Sequence, residues 1–182
     1  ALMRETVYLI DSQSTFMPLP EHDVGDMLVA YVSVDRGENS VVTFGSGWTL
    51  QETGASGAAQ VHTEGWLYTK IAGVAEASPT LSLDNSPAVS VNGQGIIAVY
   101  KNVDTVEDSA ASLGGHLTAG FSVTGVTTTN DTSLVAVFAM DRRSNQVWTP
   151  DEALLEPQIN GGTGSLGNGS TSFYHVRSPL DA

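Results

Sequence analysis

The chain has 182 residues, 41% apolar and 7% aromatic, which is enough for a packed core and is not the composition of a disordered chain. Its net charge is −13, from seven basic and twenty acidic residues, which argues against a nucleic-acid surface and against binding to anionic membrane. There are no cysteines, so disulfides, thiolate zinc sites and cysteine nucleophiles are excluded.

Charged residues make up only 15%, against roughly 25% in ordinary domains. With 19 glycines and many Ser, Thr and Val residues, this is the composition of an all-β chain rich in turns. Thr6–Ile10 reads as a first strand, and Arg4, Glu5 and Asp11 interrupt residues 1–20, which do not read as a secretory leader. Phe16–Pro20 is extended because its two prolines disfavour helix before them. Val24-Gly25-Asp26 predicts a turn, and Met27–Val34 is a nearly continuous apolar run, the pattern of a strand covered on both faces.

Arg36–Ser40 turns the chain into Val41–Phe44, then Gly45-Ser46-Gly47 and the strand start Trp48-Thr49-Leu50. Gly54–Gly57 reads as a flexible loop, His62–Ile71 as an alternating strand, and Pro79–Leu83 as a short strand ending at the Asp84–Pro87 turn. Gly95–Tyr100 is a second buried strand, followed by the acidic stretch Val103–Gly115. Leu117–Val123 and Leu134–Met140 read as strands, Pro150–Glu156 as one helical turn, Asn160–Ser170 as a Gly-rich loop and Ser172–Val176 as the last strand. No apolar run approaches the roughly 18 residues of a membrane-spanning helix.

The chain repeats itself. Leu28–Arg36 (Leu-Val-Ala-Tyr-Val-Ser-Val-Asp-Arg) is echoed by Leu134–Arg142 (Leu-Val-Ala-Val-Phe-Ala-Met-Asp-Arg), 106 residues later. Tyr68 and Tyr174 keep that offset, and Trp48-Thr49 is matched by Trp148-Thr149. The reading is an all-β fold, a β-sandwich or jelly-roll-like arrangement over residues 1–182 as one domain, with pseudo-repeated halves of about 1–105 and 106–182. The two Leu-Val-Ala strands are expected at central, equivalent positions of one sheet or of two facing sheets.

A wider pattern joins these pieces. It runs Leu19-Pro20, Val24–Ala30, Gly47–Leu50, Leu67–Ala72, Ile96–Asp104, Ser133–Ala136 and Trp148-Thr149-Pro150. In order and spacing it resembles β-rich modules of bacteriophage virion proteins (tail, fibre and decoration components) and of phage-like bacterial surface proteins, over residues 15–177. The resemblance implies a β-sandwich on a virion or cell surface and brings no catalytic residues with it. The first copy continues past Tyr68 through Pro79–Leu83 and Gly95–Tyr100, whereas little sequence follows Tyr174. The expectation is an open sheet edge in the second half, filled by a neighbouring subunit or by an arm such as residues 1–12.

Candidate chemistry is sparse. His22, His62, His116 and His175 lack the spacing of a metal or catalytic pair. No nucleophile elbow occurs, and the glycine clusters at 93–95 and 161–164 precede neither a helix nor a lysine. Asp35-Arg36 and Asp141-Arg142 read as strand ends that fix the following turns. Asp104, Glu107 and Asp108 cluster as Ca²⁺ ligands do but lack EF-hand spacing, so a solvated acidic loop is the simpler reading. Trp48 and Trp148 are matched by the repeat and read as packing residues, while Trp66, with Ser172 in its equivalent place, is the candidate for an exposed contact.

The resulting expectation is a non-enzymatic, cofactor-free virion protein, a capsid decoration protein or small tail or fibre component. Its partners would be other virion proteins and its own copies, with neither nucleic acid nor membrane, and its contacts would lie on the N-terminal arm, the 161–169 loop and Pro179–Ala182. The alternative is a carbohydrate-binding module for host attachment.

Overall fold

The computed structural model describes residues 2–35, 41–56, 63–84, 91–110, 126–127, 129, 135–143, 155–161 and 168–176. These form eleven strands and, among the described residues, no helix. They are β1 (Leu2–Ile10), β2 (Ser14–Phe16), β3 (Met27–Asp35), β4 (Val41–Phe44), β5 (Thr49–Ser56), β6 (Thr63–Ile71), β7 (Thr80–Asp84), β8 (Asn92–Tyr100), β9 (Val135–Arg143), β10 (Leu155–Gly161) and β11 (Asn168–Val176). The chain is all-β, as its composition requires.

A five-stranded antiparallel sheet of order β1-β8-β3-β6-β5 carries the fold. Strand alternation divides its residues between two faces. On one face Ala30, Val32 and Val34 of β3, Ile97 of β8, and Trp66 and Tyr68 of β6 pack against Phe44, Leu81 and Leu83 from the small sheet β2-β7-β4. Met17 and Ile10 close that core, both fully buried. On the other face Met27, Ile96, Ala98 and Tyr100, with Val29 and Tyr31, pack against Phe138 of the third sheet, β10-β11-β9. Both faces of β3 and β8 are therefore covered, which is why these two strands read as unbroken apolar runs.

The pseudo-repeat is visible in the strand order. In the first copy β3, β6 and β5 lie side by side, and in the second β9, β11 and β10 do the same. The register differs by one residue: Ala30 faces Tyr68, whereas Ala136 faces His175 and Tyr174 faces Val137. The two copies sit on opposite sides of one core, β9 against β3 and β11 against β8.

Several expectations are corrected. The arm 1–12 does not complete the second copy, because β1 pairs with β8 in the first copy's sheet. β3 is central, but β9 is the last strand of its sheet among the described residues. Gly54–Ser56 lie within β5, Leu155-Glu156 open β10 rather than a helical turn, and Asn160-Gly161 and Asn168–Ser170 belong to strands. Isolated apolar or glycine signals there were outweighed by pairing with a neighbouring strand. Asp35 ends β3, but Asp141 and Arg142 lie within β9. The predicted strand Leu117–Val123, the turn at 36–40, Trp148, and the contact segments 162–167 and 179–182 lie outside the described residues.

Candidate functional site

Three tight turns gather at the end of the main sheet where β3 begins and β6 and β8 finish. Gly25 has φ +91°, Ala75 φ 55° and Asn102 φ 58°. Reciprocal backbone bonds join the first two turns: Gly25 N–H donates to the Ala72 carbonyl at 2.9 Å, and Ala72 N–H to the Asp26 carbonyl at 2.8 Å. Asp26 is buried, and its carboxylate accepts the Asp23 N–H at 2.8 Å, which fixes the predicted turn. Lys101 pairs with Asp23 at 2.5 Å, and Arg4 pairs with Glu21. The Lys101 ammonium holds the exposed Asp23 carboxyl below its ordinary range, and Asp23 in turn raises Lys101.

Beside this end, on the face that carries the third sheet, a cleft of about 280 Å³ opens between β5, β6 and the segment after β8. Thr49, Gln51, Thr69 and Lys70 come from the sheet, and Asp104 and Thr105 from the crossing segment. A bulge in β5 between Leu50 and Glu52 sets Gln51 on the Thr69 side, where its Nε2 donates to Thr69 Oγ1 at 2.7 Å. Lys70 Nζ donates to the Ser46 carbonyl at 2.8 Å and pairs with Glu76 at 2.5 Å. Gly47, at φ +79°, makes room for that lysine, because a Cβ there would lie 2.9 Å from Lys70 Nζ. The Lys70 hydrogen bond, helped by the Gly73 N–H, holds the Glu76 carboxyl below its ordinary value against the opposing effect of burial.

The acidic segment serves the backbone. Asp108 Oδ1 accepts the Ser109 N–H at 2.9 Å and its Oδ2 the Thr127 N–H at 2.8 Å. Glu107 Oε2 accepts the Thr129 N–H at 3.0 Å, and Ser109 Oγ donates to Glu52 Oε1 at 2.6 Å. Only Asp104 of the three predicted acidic residues reaches the cleft. Among the described residues no three His, Asp or Glu side chains gather as metal ligands. The Glu107 and Asp108 carboxylates are engaged with amide donors, which is the geometry of a self-capping acidic loop.

Trp66 requires a correction. It is buried at 7% exposure in the core between the main sheet and β2-β7-β4, so it offers no exposed stacking platform. Its position opposite Val32 on a central pair of strands dictates that burial. Trp48 is half-buried, its ring set edge-on to Phe44 at 5.0 Å, while Phe44 stacks on Tyr68 at 4.8 Å. The matched tryptophan of the first copy thus packs, as its repetition suggests.

Sequence reasoning missed Gln51 of β5 and Thr69 and Lys70 of β6, which are polar residues of ordinary strands. Their convergence depends on the β5 bulge and on the crossing segment, and neither leaves a local sequence signal. Burial also pushes the phenols of Tyr31 and Tyr100 up, the latter further raised by Glu5, so both stay neutral and act as packing residues. No protein-family model, curated protein or solved structure matches the chain.

Proposed function

We propose that this chain is a non-enzymatic structural component of a bacteriophage particle, a capsid decoration protein or a small tail or fibre component. The observation that carries the reading is the stacked pair of three-stranded units, β3-β6-β5 and β9-β11-β10, built on the motifs that resemble phage virion modules. Such a unit offers edges and loop tips for assembly. At the turn-rich end Val24, Ile71 and Val74 are exposed, Val74 to 85%, and ion pairs lie beside them. The test is antibody labelling of particles purified from the phage or prophage that encodes the chain. Labelled heads or tails support the reading, whereas protein confined to the particle-free fraction sinks it.

A second reading, attachment to a glycan, is favoured by the cleft. Hydroxyl, amide and carboxylate groups of Thr49, Gln51, Thr69, Asp104 and Thr105 suit sugar hydroxyls. A glycan array probed with the protein and with Gln51→Ala tests it. Binding lost in the variant supports attachment, and an array without any binding removes it.

A further inference from the structure

The cleft between β5, β6 and the segment after β8 has a wall that is tied down at both ends. Val103 packs against the core patch of Met27, Ile96, Ala98 and Tyr100, and Ser109 Oγ donates to Glu52 Oε1 of β5 at 2.6 Å. Between these anchors the segment carries Asp104, Glu107 and Asp108, and Asp104, which is exposed, lines the cleft. The cation of the facing wall is Lys70, and its ammonium is engaged. It pairs with Glu76 at 2.5 Å and donates to the Ser46 carbonyl at 2.8 Å. At the neighbouring turns Lys101 pairs with Asp23, and Arg4 with Glu21. Carboxylates therefore set the field in the cleft, on a chain of net charge −13. A cleft dominated by one sign of charge concentrates ligands of the other.

We propose that this cleft takes a saccharide unit bearing a free ammonium group, an amino sugar seated with its ammonium against Asp104, and rejects sugars that carry carboxylate, sulfate or phosphate. The inference rests on the glycan reading of the cleft and specifies the ligand of that same site. An ammonium donating to a carboxylate makes a stronger hydrogen bond than a hydroxyl does, so Asp104 separates amine-bearing from neutral sugars. An anionic sugar would give up water beside Asp104 while Lys70 is held by Glu76. The other polar groups suit a polyhydroxylated ligand better than a plain alkyl amine. The hydroxyls of Thr49 and Thr105 both donate and accept, and Gln51, with one N–H on Thr69, keeps its carbonyl and a second N–H. Ile71 and Val106, 44% and 37% exposed, offer apolar surface from the two walls to the C–H groups of a ring. A volume of about 280 Å³ suits one sugar unit. With both ends of the wall anchored, the site needs little ordering when the ligand arrives.

The proposal is tested on an array of matched oligosaccharides, each backbone printed in neutral, N-acetylated, free-amine and carboxylate forms. The expected result is binding to free-amine members roughly tenfold above the neutral and N-acetylated ones, and none to carboxylate members. Equal or stronger binding to neutral, N-acetylated or carboxylate members overturns the proposal and leaves glycan attachment standing. An array without any binding removes both. A polycation also clings to an acidic surface that holds no site, so the free-amine oligosaccharide that binds best is titrated by calorimetry into the parent chain, Asp104→Asn and Asp11→Asn. Asp11 follows β1 at the far end of the sheet, where Ile10 lies beside Gly93. The two variants thus lose the same charge at different places, and both positions are exposed, so neither change disturbs the core. Affinity should fall roughly tenfold in Asp104→Asn and stay unchanged in Asp11→Asn. An equal loss in both variants, or a loss in neither, overturns the proposal. So does tetralysine binding the parent chain as tightly as the sugar does, which would make the site one for alkyl amines.

Discussion

Tyr31 and Phe138 meet with ring centroids 5.6 Å apart and planes tilted by 32°. They belong to different copies of the repeat, Tyr31 to β3 and Phe138 to β9, so this contact joins the two halves across the second face of the main sheet. Phe138→Ala should therefore weaken the seating of the third sheet. The expected cost is about 3 kcal/mol, in the range for removing an aromatic ring from a packed site. Urea unfolding followed by tyrosine fluorescence measures it. A change within a few tenths of a kcal/mol would show that the third sheet is held elsewhere.

Two glycines of β8 should differ in their tolerance of a methyl group. At Gly93 a Cβ would lie 2.4 Å from the Ser33 carbonyl oxygen and 3.0 Å from the Val34 Cα, both backbone atoms. At Gly95 the nearest obstacle, at 2.7 Å, is the terminal methyl of Met17, which can rotate. Gly93→Ala should cost roughly 2–3 kcal/mol because β8 must move from β3, and Gly95→Ala roughly 1 kcal/mol. Thermal unfolding of the two variants ranks them. The reverse order would contradict the packing described at the β3–β8 seam.

Stability should fall in acid through Glu76. Its carboxyl is held below the ordinary 4.5 by Lys70, so the unfolded chain takes up the proton first as the pH drops. The contribution is complete above pH 4.5 and is lost as the pH falls through the lowered folded value. Glu76→Gln should flatten that acid limb and cost about 1 kcal/mol at neutral pH, since the carboxylate is only 8% exposed. Melting temperature against pH for parent and variant is the measurement. An acid limb of equal steepness in both would assign it to other carboxylates.

Asp108 should matter to the fold rather than to a cation. Replacing it by Ala removes the acceptor of the Ser109 and Thr127 amides, both exposed to water, at an expected cost of about 0.5–1 kcal/mol. Adding Ca²⁺ should shift the melting temperature of neither protein. A rise with Ca²⁺ in the parent, lost in Asp108→Ala, would restore the metal reading of this loop.

The main strands were legible because β3 and β8 are buried on both faces and therefore carry unbroken apolar runs. The turn at Gly25 was legible because a positive φ beside a buried aspartate leaves few alternatives. The partner of β1 was not, because its register with residues 93–100 is set by pairing across most of the first copy. The burial of Trp66 was not legible, because its repeat mate is a serine and the repeat therefore gives it no packing role. Burial follows instead from its place beside Val32, which the repeat does not encode. The cleft stayed hidden because Gln51 and Thr69 meet only through a bulge.

The pairing of β1 with β8 orders events during synthesis. Ile10 lies beside Gly93 and Leu2 beside Tyr100, so β1 has no partner in this sheet until residues more than eighty positions further along the chain have been made. β3 waits for the same strand on one of its edges. Pairings this distant in sequence are slow to form and leave apolar strands uncovered meanwhile. The first half of this protein should therefore reach its native state only after its eighth strand has left the ribosome, and a nascent chain halted before Gly93 should depend on chaperones to stay in solution.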